Sequence, residues 1–291
     1  MYNGSAKGSA KGSSHHLSLS ANGFDTTRTI SVTSGKGGVG KTTLVCNLAF
    51  ELAAKGKRVL ILDGDLGMAN VDIFFGARSR LNISHVLESH CQLEDILLEV
   101  APNVHLIPGG SGVYGLSRLE PMQKHILLDQ VSRLNKNFDY MLVDTAPGID
   151  DNVLYLNAAA QEILVVVTPD PSSLTDAYAL IKVLNQRYKE NRFSIVANMV
   201  KDEHEARMVF QKLSDVASRF LCVSLDYRGF IPNDPNLRQS NRSQELVVRA
   251  QRSAPSSLAI RAMAENINGS ERFSEMKGGL QFFWNQLSGV A

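Results

Sequence analysis

Residues Gly35 to Thr42 read Gly-Lys-Gly-Gly-Val-Gly-Lys-Thr, the spacing of a phosphate-binding P-loop. Such a loop works where a strand ends and a helix begins, so it constrains the fold before anything else does. The flanks comply: the β-rich run Thr29–Thr33 precedes it, and a helical pattern carrying Leu44, Leu48 and Leu52 follows. Gly35, Gly37, Gly38 and Gly40, with Val39 between them, let backbone N–H groups turn inward around a polyphosphate. The helix N-terminus, at Thr42 and Thr43, adds partial positive charge at the same spot. Lys41 is placed to reach the outer phosphates, and the Thr42 hydroxyl to ligate Mg²⁺.

From Thr29 onward strands and helices alternate. Apolar runs suited to buried parallel strands fall at Val59–Leu62, Val104–Ile107, Tyr140–Val143, Ile163–Val167, Ser194–Ala197 and Val223–Leu225. Helical patterns cover Pro121–Leu134, Thr175–Tyr188, Glu203–Phe220 and Ser256–Ile267. This rhythm predicts an α/β fold with a doubly wound, mostly parallel sheet. Ligands in such sheets sit at the carboxyl ends of the strands, and the other motifs lie there. Asp63 and Asp65 follow the second strand, two residues apart and on one face. Tyr140–Val143 runs into Asp144, the Walker B pattern, which predicts a carboxylate holding a magnesium-bound water. Asn198 ends a later strand. Its amide, both donor and acceptor, suits an adenine edge, with a strand-end cap as the alternative. No guanine-specifying Asn/Thr-Lys-x-Asp appears, so ATP/ADP with Mg²⁺ is favoured over GTP.

Composition excludes several classes. The formal net charge is +1, which gives no bulk electrostatic case for nucleic acid or membrane, and no direct DNA binding is expected. The three cysteines, Cys46, Cys91 and Cys222, are scattered without a Cys-x-x-Cys pair. They predict no disulfide, zinc or iron–sulfur site, and each reads as a small buried hydrophobe in a reducing cytosol. No signal peptide and no membrane-spanning run is read, so a cytoplasmic protein is expected.

The second loop lysine, Lys36, is not needed by an ordinary P-loop. With it the chain resembles the deviant Walker A group, the MinD/ParA family of P-loop ATPases (the SIMIBI, MinD-like class). The resemblance implies that Lys36 crosses a dimer interface to the partner's ATP, so an ATP-bound homodimer is expected. It implies that Asp65 aligns the attacking water, and that Asp63 supports the Mg²⁺ shell or the switch conformation. It places Pro232, in Phe230–Asp234 after the last strand, against the nucleotide base. The Thr175–Asn185 stretch, Asp63–Asp72, the Arg192–Met199 strand and Phe282–Phe283 are similar to the flagellar number regulators of the FlhG and FleN branch. That branch implies a regulatory ATPase acting on the flagellar GTPase FlhF, C-ring proteins or the flagellar master transcription activator. Residues 1–27 lack the Asp-Gln-Ala…Leu-Arg activator motif of many FlhG proteins, so the FleN type fits better.

Three segments are expected: a disordered low-complexity tail at 1–27, a MinD-like ATPase domain at 28–270, and an amphipathic helix at 271–291. In the last, Phe273, Met276, Leu280, Phe283, Trp284 and Leu287 fall on one helical stripe. Leu280, Phe283, Trp284 and Leu287 suit an interfacial membrane helix, with a helix docked on its own domain or on a dimer partner as the alternative. The expected location is therefore peripheral, at the inner face of the cytoplasmic membrane in the ATP state. Septum-placing MinD and DNA-partitioning ParA proteins are the rival functions on the same fold.

Overall fold

The computed structural model describes residues 27–65, 69–110, 119–134, 137–270 and 280–288. The elements run β1 (Arg28–Thr33), α1 (Lys41–Ala54), β2 (Val59–Gly64), α2 (Val71–Phe74), α3 (Ile83–Leu87), α4 (Leu93–Ile96) and β3 (Leu98–Ala101). They continue with β4 (Val104–Ile107), α5 (Pro121–Arg133), β5 (Tyr140–Thr145), α6 (Asp151–Ala159), β6 (Glu162–Val167), α7 (Pro171–Tyr188) and β7 (Arg192–Val200). The last are α8 (Glu203–Phe220), β8 (Ser224–Pro232), α9 (Pro235–Arg242), α10 (Val247–Ala250), α11 (Pro255–Gly269) and α12 (Leu280–Ser288).

One eight-stranded sheet has the order β3-β4-β2-β5-β1-β6-β7-β8. All ladders are parallel except the short antiparallel pair of β3 with β4. The central strands are buried throughout, and successive residues point to opposite faces. Val59 and Ile61 of β2 face a core shared with α1 and α11, while Leu60 and Leu62 face the core under α5 and α6. Ile163, Val165 and Val167 of β6 join α7 and α8 in a third cluster. Helices therefore cover both faces, as the alternation predicts, and no helix among the described residues is long and apolar enough to cross a membrane.

Four differences from the sequence expectation have local causes. First, β3 is four residues long and only partly buried, so it carries no strong apolar pattern. Second, α7 starts at Pro171, four residues before the expected start at Thr175. Asp170 caps it, accepting from the Ser172 N–H at 3.1 Å, and a proline at the first helical position needs no amide partner. Third, β8 reaches Pro232, so Pro232 lies at a strand end pairing with Val200 rather than in a following loop. The register slips near Gly229, whose φ is +126°, and Tyr227-Arg228-Gly229 interrupts the apolar pattern that would announce a long strand. Fourth, Cys222 is exposed and Cys91 intermediate; the buried-hydrophobe expectation holds for Cys46 alone.

The apolar stripe near the C-terminus proves to be core here. Leu280, Phe283, Trp284 and Leu287 of α12 are at most 1% exposed. They pack with Leu127 and Val131 of α5 and Leu156 and Ala159 of α6. Phe283 and Trp284 meet edge to face, 5.4 Å between centroids. This is the docked alternative, not a stripe presented to lipid. Residues 271–279 of the expected 271–291 helix, with Phe273 and Met276, lie outside the described residues, as do 289–291 and the tail at 1–26.

Candidate nucleotide site

The P-loop leaves β1 and enters α1 in close quarters. A Cβ at Gly35 would overlap the backbone of Asp176 in α7. Gly40 sits at φ +93°, and a Cβ there would overlap the Asn198 amide. At both positions a side chain would move the loop, which fits a cradle formed by backbone N–H groups.

Lys41, Thr42, Asp63, Asp65 and Asp144 come together at the carboxyl ends of β1, β2 and β5. Asp63 and Asp144 are direct register partners across β2 and β5. The Thr42 hydroxyl donates to Asp144 Oδ2 at 2.7 Å. Asp144 is 1% exposed, and its other oxygen, Oδ1, is buried with no hydrogen-bond partner among the described residues. Burial pushes this carboxyl up to about 7; the Thr42 hydrogen bond and Lys41 oppose the rise, and Asp63 adds to it. Lys41 is buried, and its ammonium donates to Ser34 Oγ at 3.1 Å. Burial lowers its pKa, while the charges of Asp144 and then Asp65 hold it up. The site thus keeps its lysine charged with carboxylates and its carboxylates in need of a cation.

This donor set fits a magnesium-bound polyphosphate. Thr42 and Asp144 would hold the metal, Asp144 through Oδ1 or a water on it. Lys41 and the loop amides would hold the phosphates. When bound, the metal supplies charge neutralisation on phosphate oxygens.

Asp63 is tied to the backbone that follows it. Its carboxylate accepts the backbone N–H groups of Asp65 at 3.2 Å, Asn70 at 3.0 Å and Val71 at 3.2 Å. Burial raises its pKa to about 6, against the pull of those three donors. A carboxylate engaged this way fixes the loop that carries Asp65, which is the switch-conformation alternative.

Asn198 also differs. Its Nδ2 donates to the Val39 carbonyl at 2.7 Å, and its Oδ1 accepts the Met199 N–H at 2.8 Å. It therefore ties β7 to the P-loop rather than pointing a free amide edge at a base. Thr43 is held from its other side, Asn241 Nδ2 donating to its hydroxyl at 3.2 Å. Lys36 stands apart from Lys41: it is ion-paired in cis with Asp170 and donates to Ser172 Oγ at 2.5 Å. The Lys36 hydrogen bond is the main reason the Asp170 carboxyl lies below its usual range.

A cavity of about 670 Å³ opens beside the loop, lined by Val39, Thr168, Met199, Lys201 and Asn233 among others. That is the size of a small-molecule site. Pro232 lies next to Asn233 at the end of β8. Sequence reasoning passed over Ser34, Asp170, Thr168, Lys201 and Asn241. Met199, which the sequence offered only as part of the family-like Arg192–Met199 strand, is a non-glycine residue at φ +58°, a conformation that gathers at functional sites.

Comparison with known proteins agrees with this geometry. A family model described as an AAA domain matches residues 27–196. The antiactivator FleN of Pseudomonas aeruginosa is 43% identical over 89% of this chain and 92% of its own. The flagellum site-determining protein YlxH of Helicobacter pylori is 37% identical over 76% of this chain and 75% of its own. Among solved structures, MinD in the MinC:MinD cell division complex of Aquifex aeolicus superposes with a TM-score of 0.69 at 29% identity. It covers 84% of this chain and 97% of that one. MinD of Pyrococcus horikoshii OT3, complexed with Mg-ADP, gives 0.66 at 26%, covering 84% and 96%. With a P-loop, a Walker B aspartate and a second loop lysine on this sheet, the chain belongs to the MinD/ParA family of P-loop ATPases, in the branch of the flagellar regulators FleN and FlhG.

Proposed function

We propose that this protein is an ATP-dependent dimerising switch that limits flagellar number and placement, with ATP hydrolysis as its timer. The observation that carries the reading is the Thr42–Asp144 pair with its open Oδ1, set beside Lys41 and Asp65. Lys41 neutralises the outer phosphates. Asp65, positioned through the Asp63-held loop, orients the attacking water, a task of geometry and charge rather than strong basicity. Lys36 leaves Asp170 to reach the partner's nucleotide in the dimer. Val39, Pro232 and the wall at Met199 and Asn233 take the base and ribose side.

Similarity to a protein named as an antiactivator favours the flagellar master transcription activator as the direct partner. FlhF and C-ring proteins are the further candidates. The membrane role of Leu280, Phe283, Trp284 and Leu287 requires α12 to leave α5 and α6. Exposing each of these side chains to water costs about 1.5–3 kcal/mol, so the helix leaves its groove for another apolar environment. One such helix binds lipid weakly, and two on one dimer bind far better. The septum-placing and DNA-partitioning readings share the site, but the FleN similarity spans nearly the whole chain.

Light scattering of the full chain without nucleotide, with ADP and with ATP, each with and without liposomes, tests the reading. A dimer in ATP alone, which then binds liposomes, supports it. A monomer in every state refutes the switch.

A further inference from the structure

Ser34, at the junction of β1 and the loop, is 1% exposed and touches three parts of the site. Its hydroxyl donates to the Lys36 carbonyl at 2.6 Å. The same oxygen accepts from the Lys41 ammonium at 3.1 Å. Its own carbonyl accepts the Gly148 N–H at 3.0 Å, in the turn that follows Asp144. One small residue thus joins the backbone beneath Lys36, the ammonium of Lys41 and the Pro147-Gly148 turn.

The order of donors matters. A serine hydroxyl has one proton and two lone pairs. Because the proton goes to the Lys36 carbonyl, the lone pairs are left for Lys41. The acceptor it offers is neutral, so it sets the direction of the ammonium without competing for its charge. Lys41 has three N–H donors, and one of them is spent here. The other two are aimed by the position of the first. In a buried site an ammonium that loses a fixed acceptor samples several directions, and a charge that is badly aimed stabilises a transition state poorly.

We propose that Ser34 is a positioning residue for phosphoryl transfer. It aims Lys41 at the transferring phosphate and holds the Asp144–Gly148 turn in register with the loop. The proposal rests on the ATPase reading of the site. It predicts a loss in turnover larger than any loss in nucleotide affinity, because the loop amides and the Lys41 charge persist without the hydroxyl.

The test compares the full-length wild type, Ser34→Ala and Ser34→Thr. Three quantities are read: kcat for ATP, the Kd of Mg-ATP, and the ³¹P resonance of the bound γ-phosphate. A thermal melt of each variant checks that it is folded. Ser34→Ala is expected to lower kcat about tenfold or more, the scale of one hydrogen bond to a charged group. The Kd should change less than about threefold on the same argument. The γ-phosphate resonance should move in Ser34→Ala and return in Ser34→Thr, along with kcat. Wild-type kcat in Ser34→Ala, or equal loss of kcat and affinity, overturns the proposal. A wild type that binds Mg-ATP without turnover overturns the ATPase reading instead, and the γ-phosphate resonance still decides the role of Ser34.

Discussion

Thr42 gives its hydroxyl proton to one oxygen of Asp144 at 2.7 Å, and the other oxygen of that carboxylate is buried without a partner among the described residues. The pair is a half-satisfied site. It makes the binding of a cation and the ionisation of Asp144 one linked event, and that linkage sets the pH behaviour of the site.

Asp144 is pushed up to about 7 by burial. Protonation competes with the cation, so affinity for Mg-ADP rises with pH and levels off above about 7. The sign follows from the charged form being the ligand and the raised pKa lying above the usual carboxylate value. Between pH 8 and pH 6 the affinity is expected to fall about tenfold, the ratio set by one proton at a pKa near 7. Calorimetry across that range checks it, with Asp144→Asn expected to bind weakly at every pH. A flat wild-type profile contradicts the linkage.

Lys41→Ala removes the ammonium that offsets the outer phosphates and should abolish useful ATP binding. Asp65→Ala should bind and dimerise but lose turnover. Equilibrium binding beside steady-state hydrolysis separates the two, and equal losses of affinity would refute the division of roles.

Lys36 is held by Asp170, and this tie competes with any reach across a dimer interface. Asp170→Asn keeps an N-cap on α7 while removing the charge. It should strengthen the ATP dimer modestly, by less than about fivefold, because the pair is solvent-exposed. Lys36→Ala should bind ATP and stay monomeric. Sedimentation with ATP measures both, and a Lys36→Ala protein that dimerises normally removes the trans role.

Trp284 closes the core over α5 and α6. Trp284→Ala should cost about 3–5 kcal/mol if α12 unfolds with the rest of the domain, the range for deleting a buried aromatic. A smaller loss in denaturant melts would show that α12 detaches before the domain unfolds. In liposome co-sedimentation, Trp284→Glu should lose binding in ATP. Sedimentation equal in ATP and ADP would make α12 a docking element and not an anchor.

Strands that are apolar along their whole length were legible in the sequence. Val104–Ile107 is β4 residue for residue, and Tyr140–Val143 lies within β5. The P-loop and Asp144 were legible for a related reason: their chemistry depends on local spacing. What depends on distant partners was not. Asn198 looked like a base-reading amide because its carbonyl partner, Val39, is 159 positions away. Sequence could not choose between the two roles open to Asp63, metal shell or switch conformation, because its amide donors at Asp65, Asn70 and Val71 are set only by folding. The stripe on α12 has the same pattern whether it faces lipid or a core, since periodicity reports a face and not what covers it.

The docking of α12 also bears on how the chain is made. The apolar surface of α5 and α6 is covered by Leu280, Phe283, Trp284 and Leu287, which are synthesised after every other element described. During translation the ATP-binding loop and all eight strands emerge while that surface of α5 and α6 stays open. A growing chain in this state exposes the surface on which intermediates aggregate. Ribosome-bound chains stalled before Leu280 should therefore recruit holdase chaperones that the finished protein does not.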